Sequence, residues 1–160
     1  PQPPALQCRA MAEAFELSDH IDIEAPPAAV LDYVSNPNTW REWMPATHHI
    51  EAPDRPLAAG ERFYEKWATR QGEVQLDWHV VARVDARRWE AHTATAFTGP
   101  IVCVYAVEPT ASGCRYTRTI INPERPKAPT AEMVERMRDE AGICLANIKA
   151  NVEARVRAAG

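Results

Sequence analysis

Val134, Met137, Ala141, Leu145, Ile148, Val152 and Val156 recur at gaps of three and four, which lays a single apolar stripe along one side of a helix. Thr130 precedes it as an N-cap, and Glu132 stands where the helix dipole favours an acid. The spacing predicts a helix of about 27 residues, roughly 40 Å long, enough to cross a whole sheet. Its other sides carry Glu132, Glu135, Arg136, Arg138, Asp139, Glu140, Lys149, Glu153 and Arg155, which nearly cancel and read as a solvated face. A stripe of that length must be covered by the rest of the chain.

The rest of the chain reads mainly as strands. Phe15, Leu17, Ile21 and Ile23 alternate with polar residues, with Asp19 interrupting the dry phase, until Ala25-Pro26-Pro27 ends the ladder. Val30, Leu31 and Val34 predict a short helix that stops before Pro37, and a second from about Asn38 to Met44 carries Trp40 and Trp43 on one side. Strands follow at His48 to Glu51, Arg62 to Ala68, Val74 to Asp85, Arg88 to Phe97, Ile101 to Val107 and Cys114 to Ile121, joined by connections short enough for hairpins. The fold class expected is α+β, a seven-stranded antiparallel sheet with two short helices after the first strand and one long C-terminal helix. The Pro-rich Ala52 to Ala59 loop and the Thr98-Gly99-Pro100 turn are expected to be mobile and to admit a ligand.

Composition narrows the function classes. The chain has 160 residues, net charge −4, 46% hydrophobic and 25% charged residues, the dimensions of one ordinary domain, assigned to 13–160. Residues 1–12 lack periodicity and are expected to be disordered or extraneous to the native protein, with Met11 close to the true start. The 15 Arg and 3 Lys are scattered among 22 acidic residues, which gives no cationic face for nucleic acid. No apolar run reaches the ~18 residues of a membrane span, so stable insertion is not expected. Cys8, Cys103, Cys114 and Cys144 show neither zinc-finger nor disulfide spacing and read as buried thiols in a reducing cytoplasm.

A helix about 10 Å wide cannot cover a twisted seven-stranded sheet, so something else must fill the remainder. The inward phase of the strands supplies Phe63, Glu65 and Trp67; Leu76, Trp78, Val80, Ala82 and Val84; Trp89, Ala91, Thr93, Thr95 and Phe97; Ile101, Cys103, Tyr105 and Val107; Tyr116, Arg118 and Ile120. Such a mixture lines ligand cavities, although Trp67, Trp78 and Trp89 could equally plug a closed core. Asp19, Glu65 and Arg118 are charges on the dry phase, each needing a partner or a wet cavity. No dinucleotide, P-loop or zincin motif occurs, no cofactor is called for, and no metal site is expected. His48 and His49 point to opposite faces of a strand and cannot chelate one metal together, while His79 and His92 fall on the outward phase.

Ile21-Asp22-Ile23-Glu24-Ala25-Pro26-Pro27-Ala28-Ala29-Val30 and Asn36-Pro37-Asn38-Thr39-Trp40-Arg41-Glu42-Trp43-Met44-Pro45 resemble the I-x-A-P-x-x-x-V and D-P-x-x-W-x-x-W-x-P patterns of the START-like (SRPBCC) superfamily, which includes polyketide cyclases, lipid-transfer proteins and plant allergens. Asn36 stands where many members have Asp. The resemblance covers residues 14 to 157 and implies a helix-grip fold with a hydrophobic ligand between the curved sheet and the long helix. It also makes the first and last strands neighbours, which would bring Asp19 to Arg118.

Two functions follow as expectations. In the first, a polyketide cyclase/dehydratase works without a cofactor: Arg118 with Tyr105 or Tyr116 holds a ligand carbonyl or enolate, and Glu65 moves protons. Trp67, Trp78, Trp89, Phe97, Thr93, Thr95, Cys103, His48, Asp19, Met137, Ala141 and Leu145 would line the ligand site, His48 at its mouth. In the second, the same cavity carries or senses a lipid, quinone or isoprenoid without chemistry. A chaperone-activating module is the third reading, and the chain is expected to be a monomer or homodimer.

Overall fold

The computed structural model describes residues 13–46, 48–69 and 72–160. The expectation for residues 1–12, Cys8 included, lies outside the described residues, as does the side chain of His48.

Period-two alternation builds β1 (Glu13–Ile23), and Pro26 and Pro27 convert it directly into α1 (Pro27–Val34), where a proline at the first helical position gives up no useful N–H. A 3-10 turn (Pro37–Thr39), capped by the Asn36 side chain accepting from Asn38 N at 3.1 Å, leads into α2 (Trp40–Trp43). The expected second helix is thus half 3-10 and half α. Six strands follow: β2 (His48–Glu51), β3 (Arg62–Thr69), β4 (Gly72–Val84), β5 (Arg88–Thr95), β6 (Gly99–Thr110) and β7 (Gly113–Arg125). The chain closes with α3 (Ala131–Ala159), whose N-cap Thr130 accepts from Met133 N at 3.1 Å. Seven strands form one antiparallel sheet in the order β1-β7-β6-β5-β4-β3-β2, so the first and last strands are neighbours. This is the helix-grip α+β arrangement the sequence resemblance implied.

The inward phase holds over most of the sheet. One row of cross-strand partners runs Asp19, Arg118, Tyr105, Trp89 and Arg83 across five strands. Arg83 in that row corrects the sequence phase of β4. A bulge between Val80 and Ala82 adds a residue, so Val84 is turned out to 50% exposure and Ala82 is only half-buried, neither continuing the inward series. Arg83 instead crosses to Ser35 Oγ at 2.7 Å and Asp32 at 2.6 Å, tying the sheet to α1. Phe97 is a second correction: β5 ends at Thr95, and Phe97 sits in the following turn, 42% exposed.

Trp40 is the centre of the packed end. Its ring meets Trp43, Phe63, Trp78, Trp89 and Tyr105 edge-on at centroid distances of 5.3–6.4 Å. Each of the four buried indole N–H groups has an acceptor: Trp40 to Val34 O (2.9 Å), Trp43 to Thr39 Oγ1 (3.3 Å), Trp78 to Glu65 (2.7 Å) and Trp89 to Leu57 O (3.0 Å). Leu57 is buried and its N–H reaches Ser35 O at 3.1 Å, so the Ala52 to Ala59 loop is pinned at its middle. α3 lies against β1, α1 and α2, closing one side of the molecule.

Burial keeps the interior thiols and phenols protonated. It pushes the Cys103 thiol up to about 11 and Tyr33 up to about 12, and lifts Tyr105 and Tyr116 well above the usual phenol range. Because the folded-state values are raised, the stability they contribute is complete below the ordinary thiol and phenol values and is lost as pH climbs through the raised ones. Thermal denaturation scans should therefore show a Tm that is flat from pH 7 to about 8.5 and then falls toward pH 11, with Cys103→Ala flattening the first part of the fall. Because burial also raises Cys114 and Cys144, the onset persists without Cys103, and a fall in Cys103→Ala as steep as in wild type would contradict the assignment. At the β6–β7 hairpin, a Cβ on Gly113 would overlap the Ile23 carbonyl oxygen and crowd Ala25 N at 2.9 Å, both backbone atoms that cannot swing aside. Gly113→Ala should cost about 3 kcal/mol in urea unfolding, and a loss below about 0.5 kcal/mol would show that the hairpin end yields freely.

Candidate functional site

The sheet and α3 do not close on each other. Between them lies a cavity of ≈ 520 Å³, within the size range of small-molecule sites. Strand residues Leu17, Glu65, Trp67, Leu76, Trp78, Ile101, Cys103, Tyr105, Arg118, Ile120 and Asn122 form its sheet wall. Trp40, Met44, Pro45 and Ala46 close one side, and Met133, Arg136, Met137, Glu140, Ala141 and Cys144 descend from α3. Phe97 and Thr98 at the β5–β6 turn and Arg125 at the end of β7 complete it.

The sequence-selected residues divide accordingly. Arg118, Glu65 and Tyr105 reach the cavity, together with Trp67, Trp78, Phe97, Cys103, Met137 and Ala141. Trp89, Thr93, Thr95, Tyr116, Asp19 and Leu145 are not on its wall. Trp89 packs against Trp40 and stacks on Tyr105 at 5.2 Å. Leu145 belongs to the packed core. Thr95 is spent locally, its hydroxyl 2.6 Å from that of Thr98. The aromatic residues are thus split between plug and wall rather than all doing one or the other.

Arg118 projects from the middle of β7 with its guanidinium 5.7 Å from the Trp43 ring centroid. Asp19 is its register partner on β1, yet no ion pair joins them among the described residues. Asp19 Oδ2 and Arg118 Nε are both buried without a hydrogen-bond partner. Burial pulls the arginine down, and the phenols and thiols of Tyr105, Cys103, Cys144 and Tyr116 more than offset it, leaving it a permanent cation. Tyr105 and Tyr116 are fully buried, and neither hydroxyl finds a hydrogen-bond partner. Cys103 influences the Tyr105 phenol electrostatically, but the contact does not meet hydrogen-bond geometry. Glu65, 3% exposed, accepts from Trp78 Nε1 at 2.7 Å.

Residues the sequence reading passed over hold the far end. Asn122 continues the Arg118, Ile120 phase, and a register shift opposite Glu13 and Phe15 brings Arg125 back toward the interior. Arg125 and Asn122 are 8% and 3% exposed, and Arg125 Nη1 donates to Asn122 Oδ1 at 3.1 Å. The sequence signal was available in Asn122 as a polar residue two positions beyond Ile120, but the expected strand stopped at Ile121. His79 is exposed, and His92 pairs with Glu90 at 2.8 Å. Among the described residues no group of His, Cys, Asp or Glu is arranged to hold a metal, Cys103, Cys114 and Cys144 are free thiols, and no helix is long and apolar enough to cross a membrane.

The overall arrangement recurs in solved structures. Protein CV1439 from Chromobacterium violaceum superposes with a TM-score of 0.67 at 16% identity, over 86% of this chain and 97% of its own. A Rhodobacter sphaeroides protein gives 0.68 at 14% identity over 89% and 99%. Ara h 8.0201 gives 0.64 at 12% identity, again over 89% and 99%. These likenesses establish the fold alone, and no curated protein sequence matches the chain. The match that does extend through the sequence covers residues 14–153, and by it the chain belongs to the family described as polyketide cyclase / dehydrase and lipid transport.

Proposed function

We propose that the protein binds a bulky hydrophobic or aromatic small molecule in this cavity and acts on it as a polyketide cyclase/dehydratase, closing a ring by aldol addition and then removing water. The observation that carries the reading is a pair of buried donors on the cavity wall, Arg118 Nε and the Tyr105 hydroxyl, with no acceptor of their own. Leaving such groups unsatisfied costs about 1–3 kcal/mol each, and a guest oxygen would supply what they lack.

In this reading Glu65 takes a proton from a carbon between two ketones. The electron pair left on that carbon attacks a distant ketone carbon, and the carbonyl π pair moves onto its oxygen. Arg118 and Tyr105 hold that developing oxyanion with donors already in place before the charge forms. The proton carried by Glu65 returns to the new alkoxide, and the neighbouring C–H proton and the hydroxyl then leave as water, with no net oxidation. Confinement of the chain against Trp67 and Trp78 contributes by holding the reacting carbons together.

The carrier reading has one observation in its favour. Glu65 is already engaged by the Trp78 N–H, so its presence inside is accounted for structurally without proton transfer. Native mass spectrometry of freshly purified protein should reveal a bound small molecule. With a poly-β-ketone substrate, Arg118→Ala and Glu65→Gln should each lower cyclisation by about 100-fold while ligand affinity stays within about tenfold. Cyclisation at the wild-type rate in both variants would discard the site assignment, and a wild-type protein that retains ligand but turns nothing over would establish the carrier.

A further inference from the structure

The end of the cavity built by β7 and α3 presents donors that no described carboxylate pairs within 4.0 Å. Arg125 is 8% exposed and uses Nε on Lys127 O (2.9 Å) and Nη1 on Asn122 Oδ1 (3.1 Å), leaving Nη2 with no acceptor among the described residues. Because the Asn122 oxygen is committed to an arginine, which only donates, its amide NH₂ is turned the other way. That NH₂ likewise has no acceptor among the described residues, and Asn122 is 3% exposed. Arg136 reaches the same cavity from α3. The described carboxylates on the wall are Glu140, one helical turn from Arg136, and Glu65, which is engaged with Trp78. No ion pair within 4.0 Å joins Arg118, Arg125 or Arg136 to any carboxylate among the described residues.

A buried guanidinium without an anion is unfavourable, and a free Nη2 beside an amide NH₂ suits an anion with two oxygens. The opposite part of the wall, with Trp67, Trp78 and Leu76, is apolar apart from Glu65. Asn122 lies four residues beyond Arg118 on the same strand face, about 13 Å along β7, so the two polar stations are separated by an extended length of guest.

Resting on the ligand-cavity reading above, we propose that the guest is an amphiphilic carboxylic acid, its carboxylate bound by Arg125, Asn122 and Arg136 and its apolar body laid along β7 toward Trp67 and Trp78. The carboxylate accepts from Arg125 Nη2 and the Asn122 amide, and Arg136 supplies charge from the α3 side. The acid end is thereby fixed at the rim and the remainder directed past Arg118.

The test compares dodecanoic acid with methyl dodecanoate, both below their aggregation concentrations, by quenching of tryptophan fluorescence in the intact protein. Wild type should bind the acid about tenfold more tightly than the ester, the scale of a charge-assisted hydrogen bond. Arg136→Gln, on the solvent-reaching helix, and Arg125→Ala should each bring the acid within about threefold of the ester, chiefly by weakening the acid. Since Arg125 is buried, the wild-type comparison and Arg136→Gln stand even where Arg125→Ala does not fold. Equal affinity of wild type for acid and ester would overturn the carboxylate site and leave the cavity reading intact. Loss of the acid preference in Arg118→Ala but not in Arg136→Gln would also overturn it, by placing the carboxylate elsewhere. Failure of both probes to bind wild type would remove the headgroup site and the ligand-cavity reading together.

Discussion

A single helix about 10 Å across cannot cover a seven-stranded sheet, and the molecule's organisation follows from that mismatch. α3 reaches β1, α1 and α2, which leaves the middle of the sheet uncovered. At one end the shortfall is made up by indole rings, with Trp40 brought in by a helix of only four residues. Toward the β7 end no comparable filler exists among the described residues, and the space remains as the cavity. Packing and vacancy are therefore two outcomes of the same geometric deficit.

The polar groups follow the same division. In the packed end every indole N–H reaches an oxygen, the ordinary condition of a buried donor. Around the cavity the rule lapses: Tyr105 and Arg118, both on its wall, hold buried donors without protein acceptors. Arg118 is partly compensated by the face of Trp43, which offers a cation attraction without accepting a conventional hydrogen bond. A protein selected only for stability would gain from replacing such groups with apolar ones of similar shape. Their retention beside a hollow is what a site for an oxygen-bearing guest would require.

Much of this was legible in the residues. The stripe from Val134 to Val156 located α3, the prolines at 26, 27 and 37 bounded α1, and strict alternation placed Phe63, Trp78, Cys103 and Tyr105 inside. What failed to show was whatever interrupts alternation. The bulge at Val80/Ala82 reversed the phase and hid Arg83, and the irregularity near the end of β7 hid Arg125. A bulge is set by pairing with a distant strand, and local periodicity contains no trace of it. Nor could alternation say that Asp19 and Arg118, though register partners, would leave their charges apart. Whether two side chains on one face meet depends on what the third dimension places between them.

Trp40 belongs to the plug and also to the cavity wall. Its ring abuts five other aromatic rings, so displacing it means moving that whole assembly, whereas the facing helix offers Met133 and Met137, whose unbranched side chains re-pack easily. The cavity therefore has a rigid jaw and a yielding one. Width and ring shape would be judged against the indole side, while differences in chain length and branching would be absorbed by the thioethers.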